Sequence, residues 1–304
     1  MSEDTVLEIK DLHKSFKSDF LGKKTKILKG ISLKVKQGEI FGYLGPNGAG
    51  KTSTIKCILG LIFPDKGEIR ILGFDHLSSK AKQKIGFLPE NPYFYDYLTA
   101  SEFLSFYSQL FQKQKTEDMG GLLNLVGLEK NKDTQLRKFS KGMLQRLALA
   151  QTLLNDPDFV VLDEPLGGLD PIGRKEIRDI ILKLKEKGKT VFLSSHILQD
   201  IEMICDRVAI LVHGEVINQG RLDDLVSQEI LFTEITVSQI NKKELENFGK
   251  TLTHYGDKSL IKIYNTDKVP EILEFINDKK GKVHSLVPRT QTLEDIFVGM
   301  VKQK

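Results

Sequence analysis

The residues Gly45-Pro46-Asn47-Gly48-Ala49-Gly50-Lys51-Thr52 set three glycines, a lysine and a hydroxyl in the pattern G-x-x-x-x-G-K-[ST]. Glycines let successive backbone N–H groups turn inward around phosphate oxygens, and a helix opening at this point adds the positive end of its dipole. Lys51 is then spaced to reach the β- and γ-phosphates and the Thr52 hydroxyl to ligate Mg2+, with Ser53 next in the same helix. By chance the bare pattern turns up in roughly a few per cent of chains this long. The apolar run Glu39–Leu44 before it and the helical spacing of Thr52–Leu61 after it supply the strand–loop–helix context that makes it a phosphate-binding loop.

A second cluster follows at Phe159-Val160-Val161-Leu162-Asp163-Glu164. Four apolar residues predict a buried strand whose C-terminal end delivers two carboxylates, and open α/β sheets bind ligands at such ends. Asp163 suits Mg2+ and Glu164 suits an attacking water, which it would orient or deprotonate. Alone, the pair is also what a strand followed by a solvated acidic turn looks like. The phosphate loop upstream favours the catalytic reading.

Three further segments carry a resemblance. Phe139-Ser140-Lys141-Gly142-Met143 runs into the helical stretch Leu144–Leu154 and resembles the signature motif of the ATP-binding-cassette (ABC) ATPases. Pro165-Leu166-Gly167-Gly168-Leu169-Asp170-Pro171 resembles that family's D-loop, and Ser194-Ser195-His196 its switch histidine. Phe16 stands where the family carries an aromatic that stacks on adenine. Two motifs depart from the usual pattern: in the signature Lys141 and Met143 replace the frequent Gly and Gln, and Glu90 stands where the Q-loop usually has Gln. A carboxylate at position 90 can still ligate Mg2+, with a stronger Coulomb pull than an amide, while adding negative charge beside the triphosphate.

The resemblance covers residues 1 to about 225 and implies a P-loop ABC-ATPase domain with an antiparallel β subdomain and an inserted helical subdomain over about 91–155. It implies ATP and Mg2+ as ligands, Thr52, Asp163 and Glu90 toward the metal, and Glu164 and His196 in catalysis. The loop Gly45–Ser53 would hold the phosphates. Ser140, Gly142 and Asp170 would serve a nucleotide sandwiched between two such chains, in a homodimer or with a paired ATPase subunit. It also implies an integral-membrane permease as partner, a place at the cytoplasmic face of the membrane, and a branch like the exporters of drugs, antibiotics or ions.

The elements that must position these residues follow from periodicity. Val6–Ile9 and Ile31–Val35 predict strands around a Lys/Gly-rich loop, Ser18–Lys26, and Ile85–Leu88 predicts another. From Thr99 to Asn155 the pattern is helical, with Phe103, Phe106, Tyr107, Leu110 and Phe111 on one face, assigned mainly to the core. Strands Phe159–Leu162 and Thr190–Leu193 flank a helix over Arg174–Glu186, a βαβ unit that implies a parallel sheet. Arg207–Val212 and Glu215–Gln219 flank His213-Gly214 as a hairpin. The aromatics Tyr93-Phe94-Tyr95-Asp96-Tyr97 fit either a docking surface for a membrane partner's helix or packing beneath the helical subdomain.

Residues 229–304 predict the order β-α-β-β-α-β of a small ferredoxin-like α+β domain, over 230–238, 241–248, 250–254, 259–264, 268–278 and 282–287, then a helix over Leu293–Val301. The overall class is α/β with this α+β appendage.

Composition narrows the function classes. The 304 residues carry 45 basic and 41 acidic side chains, a net +4 too mild to suggest a nucleic-acid partner. Two cysteines, Cys57 and Cys205, make no disulfide framework and favour a reducing compartment. The histidines His13, His76, His213, His254 and His284 show no metal-ligand spacing. No secretory leader is evident, and no apolar run reaches the ~18–20 residues needed to cross a bilayer, so a membrane role requires another chain. The alternative function is a soluble ABC ATPase acting on ribosomes or nucleic acid, which usually carries two cassettes or a long coiled-coil insertion. Here there is one phosphate loop and no sustained heptad run.

Overall fold

The computed structural model describes residues 4–17, 24–111, 118–225, 230–245, 247–290 and 292–296, in two compact units that divide between Leu222 and Asp223. Two long strands, β1 (Thr5–Lys17) and β2 (Lys24–Lys36), open the first unit as an antiparallel pair. In β2, Leu28, Ile31, Leu33 and Val35 are buried between exposed lysines, the alternation of a sheet with one wet face. Both strands exceed the segments expected from sequence. Of the expected loop 18–26, Lys24–Lys26 belong to β2, and residues 18–23 lie outside the described ones.

Next come β3 (Ile40–Leu44), α1 (Lys51–Ile58), β4 (Lys66–Ile71), β5 (Phe74–Asp75), α2 (Ser79–Lys82) and β6 (Ile85–Leu88). The helical insertion holds α3 (Ala100–Ser108), α4 (Met119–Leu125) and α5 (Lys141–Thr152). The chain then runs through β7 (Phe159–Leu162), α6 (Pro171–Glu186), β8 (Thr190–Ser195), α7 (Leu198–Ile204), β9 (Arg207–Val212), β10 (Glu215–Arg221) and α8 (Leu222–Leu225).

Among the described residues these strands form an antiparallel sheet, β2-β1-β4-β5, and a six-stranded sheet, β10-β9-β3-β8-β7-β6. In the latter, β9, β3, β8, β7 and β6 are parallel, and β10 folds back on β9 through His213 and Gly214, both at positive φ as a two-residue hairpin requires. Strands β3, β7 and β8 are buried along their whole length, which is why they read as unbroken apolar runs.

One core joins the sheets, with Leu7, Ile9, Leu12, Ile31 and Ile69 from the first and Phe41, Tyr43, Phe159 and Phe192 from the second. Phe41 and Phe192 stack at 5.8 Å, with Tyr43 5.3 Å from Phe192. The Tyr43 hydroxyl, which burial would otherwise strand, lies 3.1 Å from Thr54 Oγ1 on α1. On α6, Ile177, Ile180, Ile181 and Leu184 form the buried stripe of an amphipathic helix.

The insertion corrects one expectation. Of the aromatic stripe, Phe103 is fully buried against Phe94 and Tyr107, but Phe106 and Leu110 are exposed. Phe106 lies within α3, whose buried side chains are Ala100, Phe103 and Leu104, and Leu110 falls in the 3-10 turn Gln109–Phe111 that follows, where the α-helical period no longer holds. Tyr93 and Tyr97 are likewise exposed.

The second unit contains β11 (Ile230–Ser238), α9 (Lys242–Leu245), β12 (Lys250–Tyr255), β13 (Lys258–Ile263), α10 (Val269–Asp278) and β14 (Lys282–Thr290), in sheet order β12-β13-β11-β14. Ile235, Val237, Leu245, Ile261, Ile263, Ile272 and Ile276 form its own core. Residues 293–296 are helical, and the rest of the helix expected to Val301 lies outside the described residues.

Both cysteines are buried and reduced. Burial pushes the Cys57 thiol up to about 11 and the Cys205 thiol well above its usual value. At pH 8 a thiol of pKa 11 is thiolate in only about one molecule in a thousand. Iodoacetamide is expected to label neither cysteine in native protein and both in urea; rapid native labelling at Cys57, read by mass spectrometry, contradicts this packing.

Candidate nucleotide-binding site

The parallel register sets the site. Leu44 of β3 lies level with Ser195 of β8, Leu162 of β7 with Leu193, and Leu88 of β6 with Leu162. The four chains leaving these strand ends are the glycine loop, Asp163-Glu164, His196 and the segment carrying Glu90. Residues separated by more than a hundred positions meet at one sheet edge.

The loop is close-packed from below. A Cβ on Gly45 would sit 2.4 Å from the Leu211 carbonyl oxygen, and Gly50 combines φ of 113° with a Cβ position 2.8 Å from Leu28 Cδ2. Only glycine meets both demands. Gly50 is also the N-cap of α1, so the first-turn amides and the dipole of α1 open onto the loop.

Above the loop a cleft of about 430 Å³ is lined by Phe16, Ile27, Pro46, Asn47, Gly48, Gly50, Lys51, Thr52, Ser53, Glu90 and Glu164. Lys51 is buried and folds back over its own loop, donating to the carbonyl oxygens of Gly45 at 2.7 Å and Pro46 at 3.3 Å. Its Nζ lies 3.0 Å from Glu164 Oε1, while Glu164 Oε2 lies 2.8 Å from Nδ1 of His196. One carboxylate thus joins the lysine and the imidazole. Glu164 holds this pose from φ of 49°, a left-handed conformation uncommon outside glycine that clusters at functional sites. Asp163, one residue back, is 2% exposed and accepts from the Ser194 hydroxyl at 2.6 Å.

The structure therefore brings Phe16, the glycine loop, Thr52, Ser53, Glu90 and Glu164 to one cleft; His196 joins it through Glu164, and Asp163, buried behind Glu164 against Ser194, is not part of the cleft lining. Gly45 and Ala49 are buried under the loop rather than on the cleft wall. Ser140, Gly142 and Asp170 do not line this cleft. Ser140 is exposed and caps α5, accepting from the Met143 N–H at 3.3 Å; a Cβ on Gly142 would meet nothing within 4 Å. Asp170 is exposed and caps α6 by accepting from the Gly173 N–H at 2.9 Å. Both side chains are acceptors that satisfy backbone N–H groups of their own helices, and the free donors at these helix starts are backbone amides.

Sequence reasoning missed three contributors. Ile27 lines the cleft. Gln145 is buried and donates from Nε2 to the Pro165 carbonyl at 3.0 Å, tying α5 to the loop after Glu164. Ser194 contacts both acidic residues. The one signal for Ser194 was a hydroxyl ending an apolar strand.

A glycine loop between a strand and a helix, a lysine at its end and two carboxylates on a neighbouring parallel strand define a P-loop nucleotide-binding protein. Comparison with known proteins narrows this. A family profile described as ABC transporter matches residues 28–167. An uncharacterized ABC transporter ATP-binding protein of Synechocystis sp. is 41% identical over 98% of this chain and 85% of its own length. The bacitracin transport ATP-binding protein BcrA of Bacillus licheniformis is 40% identical over 98% of this chain and 97% of its own. Among solved structures, a dimeric ATP-binding cassette in a post-hydrolysis state, bound to ADP and Pi, superposes with a TM-score of 0.63 at 26% identity, covering 71% of this chain and 98% of that one.

The chain belongs to the ABC transporter ATP-binding proteins. It is the ATP-binding, ATP-hydrolysing subunit of a transporter, of a family whose cassettes dimerise and work with a membrane permease, and not the ribosome- or nucleic-acid-directed alternative. Among the described residues no helix is long and apolar enough to cross a membrane.

The Glu164 carboxylate lies against Lys51, the group expected to meet phosphate. Removing its charge frees the lysine and lifts repulsion from the triphosphate, so Glu164→Gln is expected to bind ATP several-fold more tightly in EDTA, as loss of one charge-assisted contact implies. Titration of a fluorescent ATP analogue checks this; unchanged or weaker binding contradicts it.

Proposed function

We propose that this cleft binds MgATP and that Glu164 and His196 carry its hydrolysis, powering a separate integral-membrane permease at the cytoplasmic face of the membrane, in the direction of export. The observation that carries the catalytic part is Glu164 held between Lys51 and His196 at the mouth of the phosphate loop.

The residues fit Mg2+. Thr52, Glu90 and Asp163 offer only hard oxygen donors, and among the described residues no cluster of three or more His, Cys, Asp or Glu side chains is placed to hold a metal alone. That suits an ion which keeps waters and binds through one or two carboxylates plus substrate phosphates. When bound, Mg2+ neutralises charge building on the β- and γ-phosphates.

The chain's own groups do the rest. Loop amides and Lys51 hold the phosphates, and Phe16, 43% exposed at the far end of the cleft, offers its face to adenine. Glu164 takes a proton from the attacking water as its oxygen bonds to the γ-phosphorus; the bond to the bridging oxygen breaks and ADP leaves. His196 donates a hydrogen bond to the γ-phosphate. Ser140 and Gly142, at the start of α5, supply donors to the nucleotide of a second chain, and Asp170 lies at the same junction. Two nucleotides then glue two subunits, and hydrolysis lets them part.

Export is supported by the match to a bacitracin transport subunit over 98% of this chain and 97% of that protein.

Glu164→Gln is expected to cut ATP turnover by about 10²–10⁴-fold while leaving an ATP-bound dimer detectable by gel filtration. Undiminished turnover removes Glu164 from the base role. Phe16→Ala is expected to raise KM for ATP by about 5–50-fold, the range of one lost base stack; an unaltered KM places adenine elsewhere. The transporter assignment is tested by purifying the tagged chain from detergent-solubilised membranes: a polytopic membrane protein should accompany it, and recovery only in the ribosomal pellet overturns the reading.

A further inference from the structure

Ser194 is the fifth residue of β8, after Val191-Phe192-Leu193, and it is fully buried. A hydroxyl in such a place must find partners, and it has one hydrogen to give and lone pairs to receive. Both go to the acidic pair. Ser194 Oγ donates to Asp163 Oδ1 at 2.6 Å and accepts from the Glu164 backbone N–H at 2.9 Å.

The second contact explains how Glu164 keeps its conformation. The parallel ladder of β7 and β8 runs to Leu162 and Leu193. Beyond it the chain turns to φ of 49° at Glu164, which takes that N–H out of the ladder. The Ser194 hydroxyl stands in for the missing carbonyl acceptor. A non-glycine residue persists in a left-handed conformation only where its surroundings over-determine it. Here that conformation sends the Glu164 side chain toward Lys51 and His196. The first contact fixes the other carboxylate: a short, charge-assisted bond occupies one Asp163 oxygen and orients the group.

We infer that Ser194 is a positioning residue for ATP hydrolysis, a single hydroxyl that sets both the rotation of the Asp163 carboxylate and the backbone turn that aims Glu164. The inference rests on the roles proposed above for Asp163 and Glu164. Ser194 itself touches no substrate. It acts through its neighbours, so its loss reaches the chemical step and the metal-dependent part of binding, while the loop, Lys51 and Phe16 go on holding the nucleotide.

Three variants of the full chain test this: Ser194→Ala without the hydroxyl, Ser194→Cys with a weak donor of similar shape, and Ser194→Thr with the hydroxyl restored. For alanine and cysteine, kcat is expected to fall about 10–100-fold with KM for ATP changed less than about threefold, and threonine is expected to recover most of the loss. Separately, affinity for a fluorescent ATP analogue is measured in EDTA and in Mg2+. The alanine and cysteine variants should match wild type in EDTA and lose most of the gain that Mg2+ brings. If alanine proves unfolded by circular dichroism, the cysteine variant decides alone.

Wild-type kcat and a wild-type Mg2+ gain, with only a lowered Tm, would make Ser194 a packing residue and overturn the inference. Glu164→Gln is run alongside: if that variant also turns over normally, the site reading itself has failed; if it is inactive while Ser194→Cys is not, only this inference has.

Discussion

Lys51 and Glu164 face each other 3.0 Å apart with side chains 7% and 9% exposed. Neither charge tolerates such burial alone: removing one partner of a buried pair typically costs about 3–5 kcal/mol. Much of the first unit follows from keeping the two together. Lys51 comes from the end of β3 and Glu164 from the end of β7, strands separated in the sheet by β8. Their meeting requires the register that sets Leu44 level with Ser195 and Leu162 level with Leu193. The same register brings His196 onto the second oxygen of Glu164.

A second constraint is that the cleft is one-sided. The glycine loop and Lys51 line it from one direction, while Ser140 is exposed and Gly142 half-buried at the start of α5, outside it. Gln145, one turn further along α5, reaches the carbonyl of Pro165, the residue after Glu164. The start of α5 and the Glu164 carboxylate are thus linked through Gln145 and Pro165. Such a link suits a family whose cassettes dimerise around nucleotide.

Much of the architecture was legible because the chemistry sits in local patterns. The apolar runs Phe159–Leu162 and Arg207–Val212 coincide with β7 and β9, since a strand buried on both faces has no other composition open to it. Helix α6 starts earlier than its apolar spacing implied, because Asp170 caps it and Pro171 occupies its first turn. The strands β4 and β5 escaped notice: Lys66–Ile71 buries only Ile69 and Ile71, too little period-two signal to separate strand from loop. The aromatic stripe misled for the opposite reason: its period marks a helix face, but only the part around Phe103 is covered, Phe106 staying exposed within α3 and Leu110 lying in the 3-10 turn after it.

By itself the sequence determined the chemistry on offer: a phosphate loop, two carboxylates, a histidine and the order in which a known family arranges them. These are short-range facts, carried by glycine's conformational freedom and by residues adjacent in the chain. Only the tertiary structure decided which of them share a cleft, that Asp170 caps a helix on open surface, and that Glu164 rests between Lys51 and His196. It alone showed the Ser194 hydroxyl bonded to the Asp163 carboxylate and to the Glu164 backbone N–H. The physical reason is that strand register and burial are properties of residues far apart in sequence. A serine at the end of an apolar strand becomes informative only when the neighbouring strand shows what its hydroxyl must satisfy.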